Sequence, residues 1–594
     1  MVRIGKGNHR SPQDGVPVAD GALAIADPPR QRQGPDGAPQ IGAILVARGA
    51  LTSAQLAEAL LQQKASDKDL GGLLVELGFI HEETLADALA EQFGLARVNL
   101  RDVTPSQEAA ESLPEQLARS RHLVPIRVTD DGWLEIAIAE PSLTLNGELS
   151  AATGRDVTML VAPRTQVQRM LDTVYRALTD VDRQVDAFTA VHGSRLVTAK
   201  NVDVAADEAP VVQVVNMLIT QALRDRASDV HIEPQDSRVR VRYRIDGALH
   251  DVMALPDSMG PAIASRLKIT AGMNIVERRR AQDGQIAMTI DGRDLDIRVA
   301  TTGTIWGEKV VLRLLDKSRP LYRLGDLGMP TDTHAAYSSI IRSPFGMVIC
   351  AGPTGSGKTT TLYASMTEIN TPERNITTIE DPVEYVFPSI NQIQINEQAE
   401  VTFANGLRSI LRQDPDVILV GEIRDAETAR IAVQSALTGH FVLSSLHGTD
   451  SVSALYRFLD MGIESFLIAS SVLAVVGQRL IRRTCHYCKT PYQPSTEELA
   501  FYRDIGGGTK KQFWVGEGCN LCSRTGYSDR IGVYELLRMT EGLKEMLINK
   551  RPSHEAMRLL AQSEGMRSLR QEACQLIQDD VTTISEVVRC IYTL

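Results

Sequence analysis

Apolar and polar residues follow a repeating pattern near the amino terminus. Residues 41–63 align with residues 70–92 at a constant offset, and each copy shows a short apolar helix, a glycine stop and a second helix. In the first copy, Thr52 and Gln55 form a capping-box pattern for the second helix. The repeat therefore predicts a small helical domain over residues 39–95, built from two similar hairpins.

The pattern becomes mixed after the repeat. Strand-like runs at 123–128 and 134–139, bounded by turn residues, predict a small α+β domain over 96–177. Residues 178–208 are charged and weakly apolar, which predicts a linker. Residues 1–38 are rich in Gly and Pro and have no apolar period, so we expect a disordered tail.

Two further domains follow. A helix with one apolar face over 211–223, followed by alternating strands at 239–245 and 295–299, predicts an α+β domain over 209–320. Residues 321–594 alternate apolar strands with helices, which is typical of an α/β domain with a largely parallel sheet.

A phosphate-binding loop lies in this last domain. The sequence GPTGSGKT matches G-x-x-x-x-G-K-[ST] in full, with a strand-like run before it and a helix-forming stretch after it. Backbone N–H groups of such a loop bind phosphate oxygens, the lysine binds the β- and γ-phosphates of ATP, and the final hydroxyl binds Mg²⁺. The residues predicted to bind the nucleotide are Gly352, Pro353, Thr354, Gly355, Ser356, Gly357, Lys358 and Thr359.

Acidic residues follow the next two apolar strands. Glu380, with Asp381 and Glu384 close by, follows the strand at 376–379, and Glu422 follows the strand at 417–420. One such acid is commonly a surface carboxylate, but two acid-tipped strands after a P-loop favour ATP hydrolysis. His440 and His447 bracket a further strand, where both phosphate sensing and a purely structural role stay open.

Four cysteines form a candidate metal site. Cys485, Cys488, Cys519 and Cys522 make two C-x₂-C pairs, and four thiolates can hold Zn²⁺ in a closed, structural site. The alternative is two unrelated pairs. The other three, Cys350, Cys574 and Cys590, lie apart and are expected to be buried apolar residues.

Composition narrows the class of protein. A chain of 594 residues is expected to divide into several domains. The net charge of −11 argues against general affinity for nucleic acid, although a local basic patch stays possible. The apolar run 466–476 is interrupted by serines and predicts a buried helix, and no signal peptide is recognisable. A cytoplasmic protein is therefore expected.

The motifs together resemble a known family. The strings GPTGSGKTTTLYA, TIEDPVEY, ILVGEIRDAETA and TGHFVLSSLH resemble the ATPases of type II secretion and type IV pilus assembly, and SDVHIEP, VRYRIDG and GEKVVLRLLD resemble the domain preceding their motor. The resemblance spans residues 209–590. It implies a RecA-like motor domain, a homo-hexamer, and ATP-driven motion of an inner-membrane platform protein that works with membrane-anchored components.

The resemblance also implies roles for single residues. Glu380 matches the general base, Glu422 the acid after the Walker B strand, and His447 the phosphate sensor, although Gly448 and Thr449 replace a Thr-Asn pair common after that histidine. In such rings, arginines complete the neighbouring subunit's site. The candidates are Arg242, Arg244, Arg266 and the run from Arg278 to Arg280. A tetracysteine site is typical of assembly ATPases rather than retraction ATPases.

The amino-terminal repeat resembles the domain of secretion and pilus ATPases that binds cyclic di-GMP. That motif begins with Arg-Leu-Gly in each half, whereas this chain has Gln40-Ile-Gly and Asp69-Leu-Gly. The missing arginines favour a docking domain for a membrane-anchored partner over cyclic di-GMP binding.

Other functions remain open at this point. One alternative is a regulatory nucleotide-binding module, which would not need the acid pair, and another is a DNA or conjugation motor, which would need a basic channel. Protein secretion and pilus assembly share these motifs, so the sequence does not separate them.

Overall fold

The computed structural model describes residues 40–64, 68–195, 208–317, 322–549 and 552–591. The predicted disordered tail lies outside the described residues. The described chain forms two compact units. The first contains the described parts of Met1–Leu100 and Pro105–Gln168, and the second contains those of Arg101–Thr104 and Arg169–Leu594.

The first unit begins with the predicted pair of helical hairpins. Thr52 accepts a hydrogen bond from the backbone N–H of Gln55, which is the predicted capping box. A Cβ on Gly42 would lie 2.9 Å from a methyl of Leu56, so the glycine allows close packing between the two helices of the hairpin. The helices are α1 (Ile41–Ala47), α2 (Ser53–Gln63), α3 (Leu70–Glu76) and α4 (Glu82–Phe93).

A small mixed sheet completes the first unit. Its strand order is β1-β4-β3-β2, with β2 and β3 antiparallel and the other pairs parallel. The strands are β1 (Ala96–Arg97), β2 (Leu123–Val128), β3 (Leu134–Ile138) and β4 (Val157–Val161). The helices are α5 (Gln107–Ser112), α6 (Glu115–Arg121), α7 (Leu145–Thr153) and α8 (Arg164–Val174), of which α8 continues into the second unit.

The predicted linker differs from the structure. Residues 178–195 do not form an extended connection, because α9 (Val181–Arg195) occupies most of this segment. Val181 and Phe188 are fully buried in the core of the following domain and Val185 packs against it, so apolar residues at helical spacing dock this charged helix. Residues 196–207 lie outside the described residues.

An antiparallel sheet forms the α+β domain of the second unit. Its strand order is β7-β6-β5-β10-β9-β8. One face packs on the helices through alternate apolar residues, and the other face carries charged side chains. The strands are β5 (Asp229–Pro234), β6 (Arg238–Ile245), β7 (Ala248–Pro256), β8 (Gln282–Ile290), β9 (Arg293–Thr304) and β10 (Gly307–Asp316). The helices are α10 (Glu208–Arg224) and α11 (Met259–Thr270).

The remaining domain has the predicted α/β fold. Its seven-stranded sheet has the order β13-β12-β14-β15-β11-β16-β19 and is parallel except for the pair β16–β19. Its strands are β11 (Gly346–Ala351), β12 (Ile376–Glu380), β13 (Asn391–Gln394), β14 (Val417–Val420), β15 (Phe441–Leu446), β16 (Val472–Thr484) and β19 (Tyr527–Arg538). Between β16 and β19, the short strands β17 (Lys489–Tyr492) and β18 (Phe513–Gly516) form a separate antiparallel pair.

Helices cover the sheet and the β17–β18 pair. Those between the strands are α12 (Thr331–Ile341), α13 (Lys358–Ile369), α14 (Phe403–Ile410), α15 (Ala426–Leu437), α16 (Ser451–Asp460), α17 (Ser465–Ser471) and α18 (Thr496–Asp504). Those at the carboxyl-terminal end are α19 (Glu541–Asn549), α20 (His554–Ser563), α21 (Leu569–Gln578) and α22 (Ile584–Ile591).

One predicted helix is a helix in its first part and a strand in its second part. The run 466–476 was expected to form a single buried helix, but α17 ends at Ser471 and β16 begins at Val472. A strand that is buried on both faces loses the apolar–polar alternation, so periodicity does not distinguish it from a buried helix. No helix among the described residues is both long enough and apolar enough to span a membrane.

Candidate nucleotide and metal sites

The P-loop joins β11 to α13. Gly355 and Gly357 have φ angles of 76° and 88°, which L side chains rarely adopt. A Cβ on Gly352 would lie 2.7 Å from the carbonyl oxygen of Gln478, so this glycine also permits close backbone contact. Lys358 donates from Nζ to the carbonyl oxygens of Gly352 and Pro353, at 2.9 and 3.0 Å. The amine therefore lies over the loop that is expected to hold phosphate.

Glu380 ends β12 and is held by three donors. Glu380 is buried, with only 3% of its surface exposed. Oε1 accepts hydrogen bonds from Thr378 Oγ1 at 2.5 Å and from Gln392 Nε2 at 3.2 Å. Oε2 accepts a short bond from the hydroxyl of Tyr363, which lies on α13. The carboxylate is thus fixed to the helix that begins at the P-loop.

Glu422 follows β14 and lies close to the P-loop lysine. Its carboxylate pairs with Arg424 and lies 3.4 Å from His447 Nε2. Burial lowers the pKa of Lys358, while the nearby Cys350 and Glu422 act in the opposite direction. The parallel strands end at one edge of the sheet, and this brings together Lys358, Glu422 and His447, which are separate in the sequence.

The two histidines lie at opposite ends of β15. His447 directly follows the strand at the P-loop edge, because Leu446 pairs with Ala351. His440 precedes the strand, and its Nδ1 lies 3.1 Å from the carbonyl oxygen of Ser435. The structure therefore gives His440 a structural contact far from the P-loop and leaves His447 as the histidine of the site.

The predicted arginines separate into two groups. Arg242 makes two hydrogen bonds of 2.9 Å to Glu233, and Arg244 pairs with Asp229 at 3.4 Å, so both belong to the charged face of their own sheet. In the part of the chain that the structure describes, the guanidinium groups of Arg266 and Arg280 form no ion pair within 4.0 Å, although the backbone N–H of Arg280 donates to Glu277 Oε1 at 3.2 Å. Their role in a neighbouring subunit's site stays a prediction.

Two arginines that the motifs did not single out lie near the acidic loop. Burial raises the pKa of Glu384, whereas Arg298 and Arg313 stabilise its charged form. These arginines are direct neighbours in the register of β9 and β10. The arginines at alternating positions in the strand segments LDIRV and VLRLL could have indicated these two residues. Such arginines also occur on ordinary solvated sheet faces, so the pattern alone did not single them out.

The four predicted cysteines lie together. Their Sγ atoms are all within 4.8 Å of one another, with Cys485–Cys519 at 4.0 Å and Cys488–Cys522 at 3.9 Å. Four thiolates about 2.3 Å from one Zn²⁺ would stand about 3.8 Å apart, so the spacing fits that ion. The backbone N–H of Gly518 points to Cys488 Sγ, as expected for a thiolate.

The other cysteines are not all buried. Cys350 and Cys574 are buried as predicted, but Cys590 is only half-buried and its Sγ lies 3.6 Å from Glu586 Oε1. The segment between the cysteine pairs forms the β17–β18 pair, in which Lys489 lies over the ring of Trp514.

Sequence comparison identifies the family. The profile of the family described as type II/IV secretion system protein matches residues 204–589, which is more than half of the chain. The chain belongs to this family. The predicted membership is therefore confirmed, and so are the RecA-like P-loop motor fold and the ATPase function in secretion or pilus assembly.

Relatives of this secretion family extend over most of the chain. The type IV pilus assembly ATPase PilB of Myxococcus xanthus is 38% identical over 561 residues, covering 92% of this chain and 98% of the relative. The type II secretion system protein HxcR of Pseudomonas aeruginosa is 48% identical over 383 residues, covering 64% and 78%. Since the relatives carry these names, the secretion and pilus function is supported over the regulatory and DNA-motor alternatives.

The first unit has a match of its own. The MshEN domain profile matches residues 93–180. A solved structure described as MshE with cdg is 31% identical and covers 23% of this chain and 99% of that chain, with a TM-score of 0.22. A larger part of the chain matches another solved structure. The Legionella pneumophila ATPase DotB is 20% identical and covers 63% of this chain and 94% of that chain, with a TM-score of 0.47.

Proposed function

We propose that this secretion-family ATPase works as a homo-hexameric motor at the cytoplasmic face of the inner membrane, where it moves a platform protein that acts with membrane-anchored components. The observation that supports the proposal is the convergence of Lys358, Glu422 and His447 at the carboxyl edge of one parallel sheet. Such an edge is where α/β proteins of this type bind their ligands. The motor would drive type IV pilus assembly or type II protein secretion.

Glu422 and Glu380 are proposed to have different roles at this edge of the sheet. Glu422, beside Lys358, has the position to hold Mg²⁺ through its water shell together with the hydroxyl of Thr359. Glu380 is the proposed general base that orients the attacking water, and His447 is the proposed γ-phosphate sensor. Arg298 and Arg313 join Arg266 and Arg280 as the proposed arginines that stabilise charge on the phosphates.

The tetracysteine cluster is proposed to hold Zn²⁺. Its four thiolates leave no coordination position open for water, so the ion would support structure rather than hydrolysis. When bound, the ion would cross-link the two knuckles and stabilise the loops around them.

The first unit is proposed to dock a membrane-anchored partner. Gln40 and Asp69 precede α1 and α3, at the positions where the cyclic di-GMP motif has arginine. An acidic residue there would repel a phosphate group. Titration calorimetry with cyclic di-GMP separates the two roles, because saturable binding would favour the nucleotide as the ligand.

The nucleotide site is tested by Lys358→Ala in the purified full chain. The variant is expected to lose ATP binding and hydrolysis, because the cation that balances the β- and γ-phosphates is removed. Fluorescent-nucleotide titration and phosphate release measure the two losses. Lys544→Ala on α19 serves as control, since among the described residues its amine pairs with the exposed Glu541 alone. Unchanged hydrolysis in Lys358→Ala would contradict the proposed site.

The cellular role is tested in a strain that carries only Lys358→Ala. Loss of surface pili with normal extracellular protein indicates a pilus motor, whereas the reverse indicates a secretion motor. If both pili and secretion stay normal, the proposed motor function is wrong.

A further inference from the structure

The loop that follows β15 carries His447 and is held at its far end. Asp450 caps α16 by accepting from the backbone N–H of Ser453 at 2.7 Å, and its other oxygen pairs with Arg558 on α20. His447, three residues earlier, is more than half exposed. The cap therefore fixes the end of the loop, but it does not by itself place the histidine against Glu422.

A second contact holds the middle of the loop. Arg479, on β16, donates from Nη2 to the carbonyl oxygen of Thr449 at 2.7 Å. Its Nη1 donates to the carbonyl oxygen of Gln478 at 3.2 Å. A planar guanidinium can reach two carbonyl groups that lie in different directions, which a lysine amine on a flexible stem does less well.

The position of β16 puts this arginine beside the P-loop. Gly477 pairs with Ala351, the last residue of β11, so Gln478 and Arg479 lie alongside the start of the P-loop. Gln478 packs against the loop, because a Cβ on Gly357 would lie 2.8 Å from its Nε2, and its Oε1 also accepts from the hydroxyl of Thr361 on α13 at 2.9 Å. The backbone that carries Arg479 is therefore rigidly tied to the phosphate-binding loop.

The charge of Arg479 is poorly balanced. Among the described residues, no carboxylate lies within 4.0 Å of its guanidinium, and both of its hydrogen bonds go to neutral carbonyl groups. Burial lowers the pKa of Arg479, and Asp450 and Glu535 oppose this from a distance. The positive charge of Arg479 also lowers the pKa of Lys358. If the only role of Arg479 were to hold the loop by hydrogen bonds, a neutral donor would do so at a lower desolvation cost than a half-buried cation beside Lys358.

We propose that Arg479 is a positioning residue for ATP hydrolysis. Its guanidinium holds Thr449 against the flank of the P-loop and so keeps His447 in contact with Glu422. This inference rests on the proposed ATPase site. The inference gives β16 a role in aligning the loop that follows β15 and carries His447, in addition to its place in the sheet.

The test compares three variants of the purified full chain. Arg479→Ala is expected to lower kcat by about tenfold to a hundredfold while the Kd for ATP changes by less than about threefold, because alignment rather than binding is lost. Arg479→Lys is expected to recover part of kcat, and millimolar guanidinium is expected to raise kcat of Arg479→Ala only. Arg483→Ala, an exposed arginine on the same strand, serves as the matched control and is expected to leave both quantities unchanged.

Several results would overturn the positioning role. A rise in the Kd for ATP that matches the fall in kcat/KM would show direct phosphate binding instead. A lowered thermal midpoint without rescue by lysine or guanidinium would show a merely structural role. Wild-type hydrolysis and its loss in Lys358→Ala establish the ATPase site separately, so an unchanged kcat in Arg479→Ala would overturn this inference alone.

Discussion

Tyr363 joins the P-loop helix to two acidic residues. Its hydroxyl donates to Glu380 and accepts from the backbone N–H of Glu384 at 3.2 Å. The ring packs edge-to-face against Tyr385 and Phe387. Burial raises the pKa of Tyr363 well above its ordinary value, so the hydroxyl stays protonated and remains a donor at neutral pH. Tyr363 therefore links α13, which begins at the P-loop, to the proposed general base by one hydrogen bond.

The role of Glu380 is tested by replacing its carboxylate with an amide. Glu380→Gln is expected to retain ATP binding and to lower kcat by about 10²- to 10⁴-fold, because an amide does not accept the proton of the attacking water. Nucleotide titration and phosphate release measure the two properties. Near-normal turnover would remove Glu380 from the base role.

Glu384→Gln is the matched control for Glu380. It changes the same functional group in the same segment, and burial already favours the uncharged form of Glu384. We expect a much smaller loss of kcat than in Glu380→Gln. Equal losses in both variants would indicate that the segment tolerates no amide, rather than that one carboxylate is the base.

At the level of secondary structure, α22 is attached to β16 by a buried carboxylate. Glu586 accepts hydrogen bonds from the backbone N–H and the guanidinium of Arg482 on β16, and from Arg589 one turn later on α22. Burial acts to raise the pKa of Glu586, but the hydrogen bonds from the two arginines outweigh it and lower the pKa from 4.5 to about 2. The last helix therefore docks through charge as well as through apolar packing.

The docking of α22 is expected to depend on pH. A carboxyl group with a lowered pKa in the folded chain stabilises the fold above its unfolded pKa, and this stabilisation is lost as pH falls from about 4.5 to about 2. The shift corresponds to about 3 kcal/mol, or about 300-fold in amide protection. Hydrogen exchange of the amides of Ile584–Ile591 measures it.

Glu586→Gln is expected to reduce this protection already at neutral pH and to remove most of its pH dependence. Glu541→Gln is the control, because Glu541 is 90% exposed and its pair with Lys544 contributes little. A protection profile of Glu586→Gln that follows the wild type down to pH 2 would contradict the proposed docking.

In the whole molecule, the cysteine cluster lies where separate segments of the second unit meet. The side chain of Asn520 donates to the carbonyl oxygen of Val103 at 3.1 Å, and the hydroxyl of Thr173 donates to the carbonyl oxygen of Asn520 at 3.5 Å. Arg169 on α8 donates to the hydroxyl of Ser528 at 2.9 Å. The second cysteine pair and the start of β19, which flank the loop at residues 523–526, thus contact chain segments distant in sequence.

Removal of the metal is expected to loosen this loop. Cys519→Ser is expected to lower the bound Zn²⁺ and to speed tryptic cleavage after Arg524, whose backbone has a φ of 59° and whose side chain is exposed. Elemental analysis and mass spectrometry of the digest measure both effects. Cys590→Ser, which leaves the four ligands intact, is expected to change neither. Full metal content and unchanged cleavage in Cys519→Ser would contradict the proposed zinc site.

Local motifs were sufficient to predict much of the nucleotide site. The P-loop and the acids after β12 and β14 could be read from the chain, because parallel strands place their carboxyl ends at one edge. The same reasoning did not find Arg298, Arg313 or Arg479. Each lies on a strand of ordinary appearance and reaches the site only through the packing of other elements.

The sequence by itself determined the ATPase family, the α/β class of the motor domain and the four cysteines, because each depends on a short pattern with its own chemistry. Only the tertiary structure decided that β16 is a strand, that α9 is a docked helix, and that His447 rather than His440 belongs to the site. These outcomes depend on which surfaces are buried together, and burial is a property of the packed chain that local periodicity does not encode.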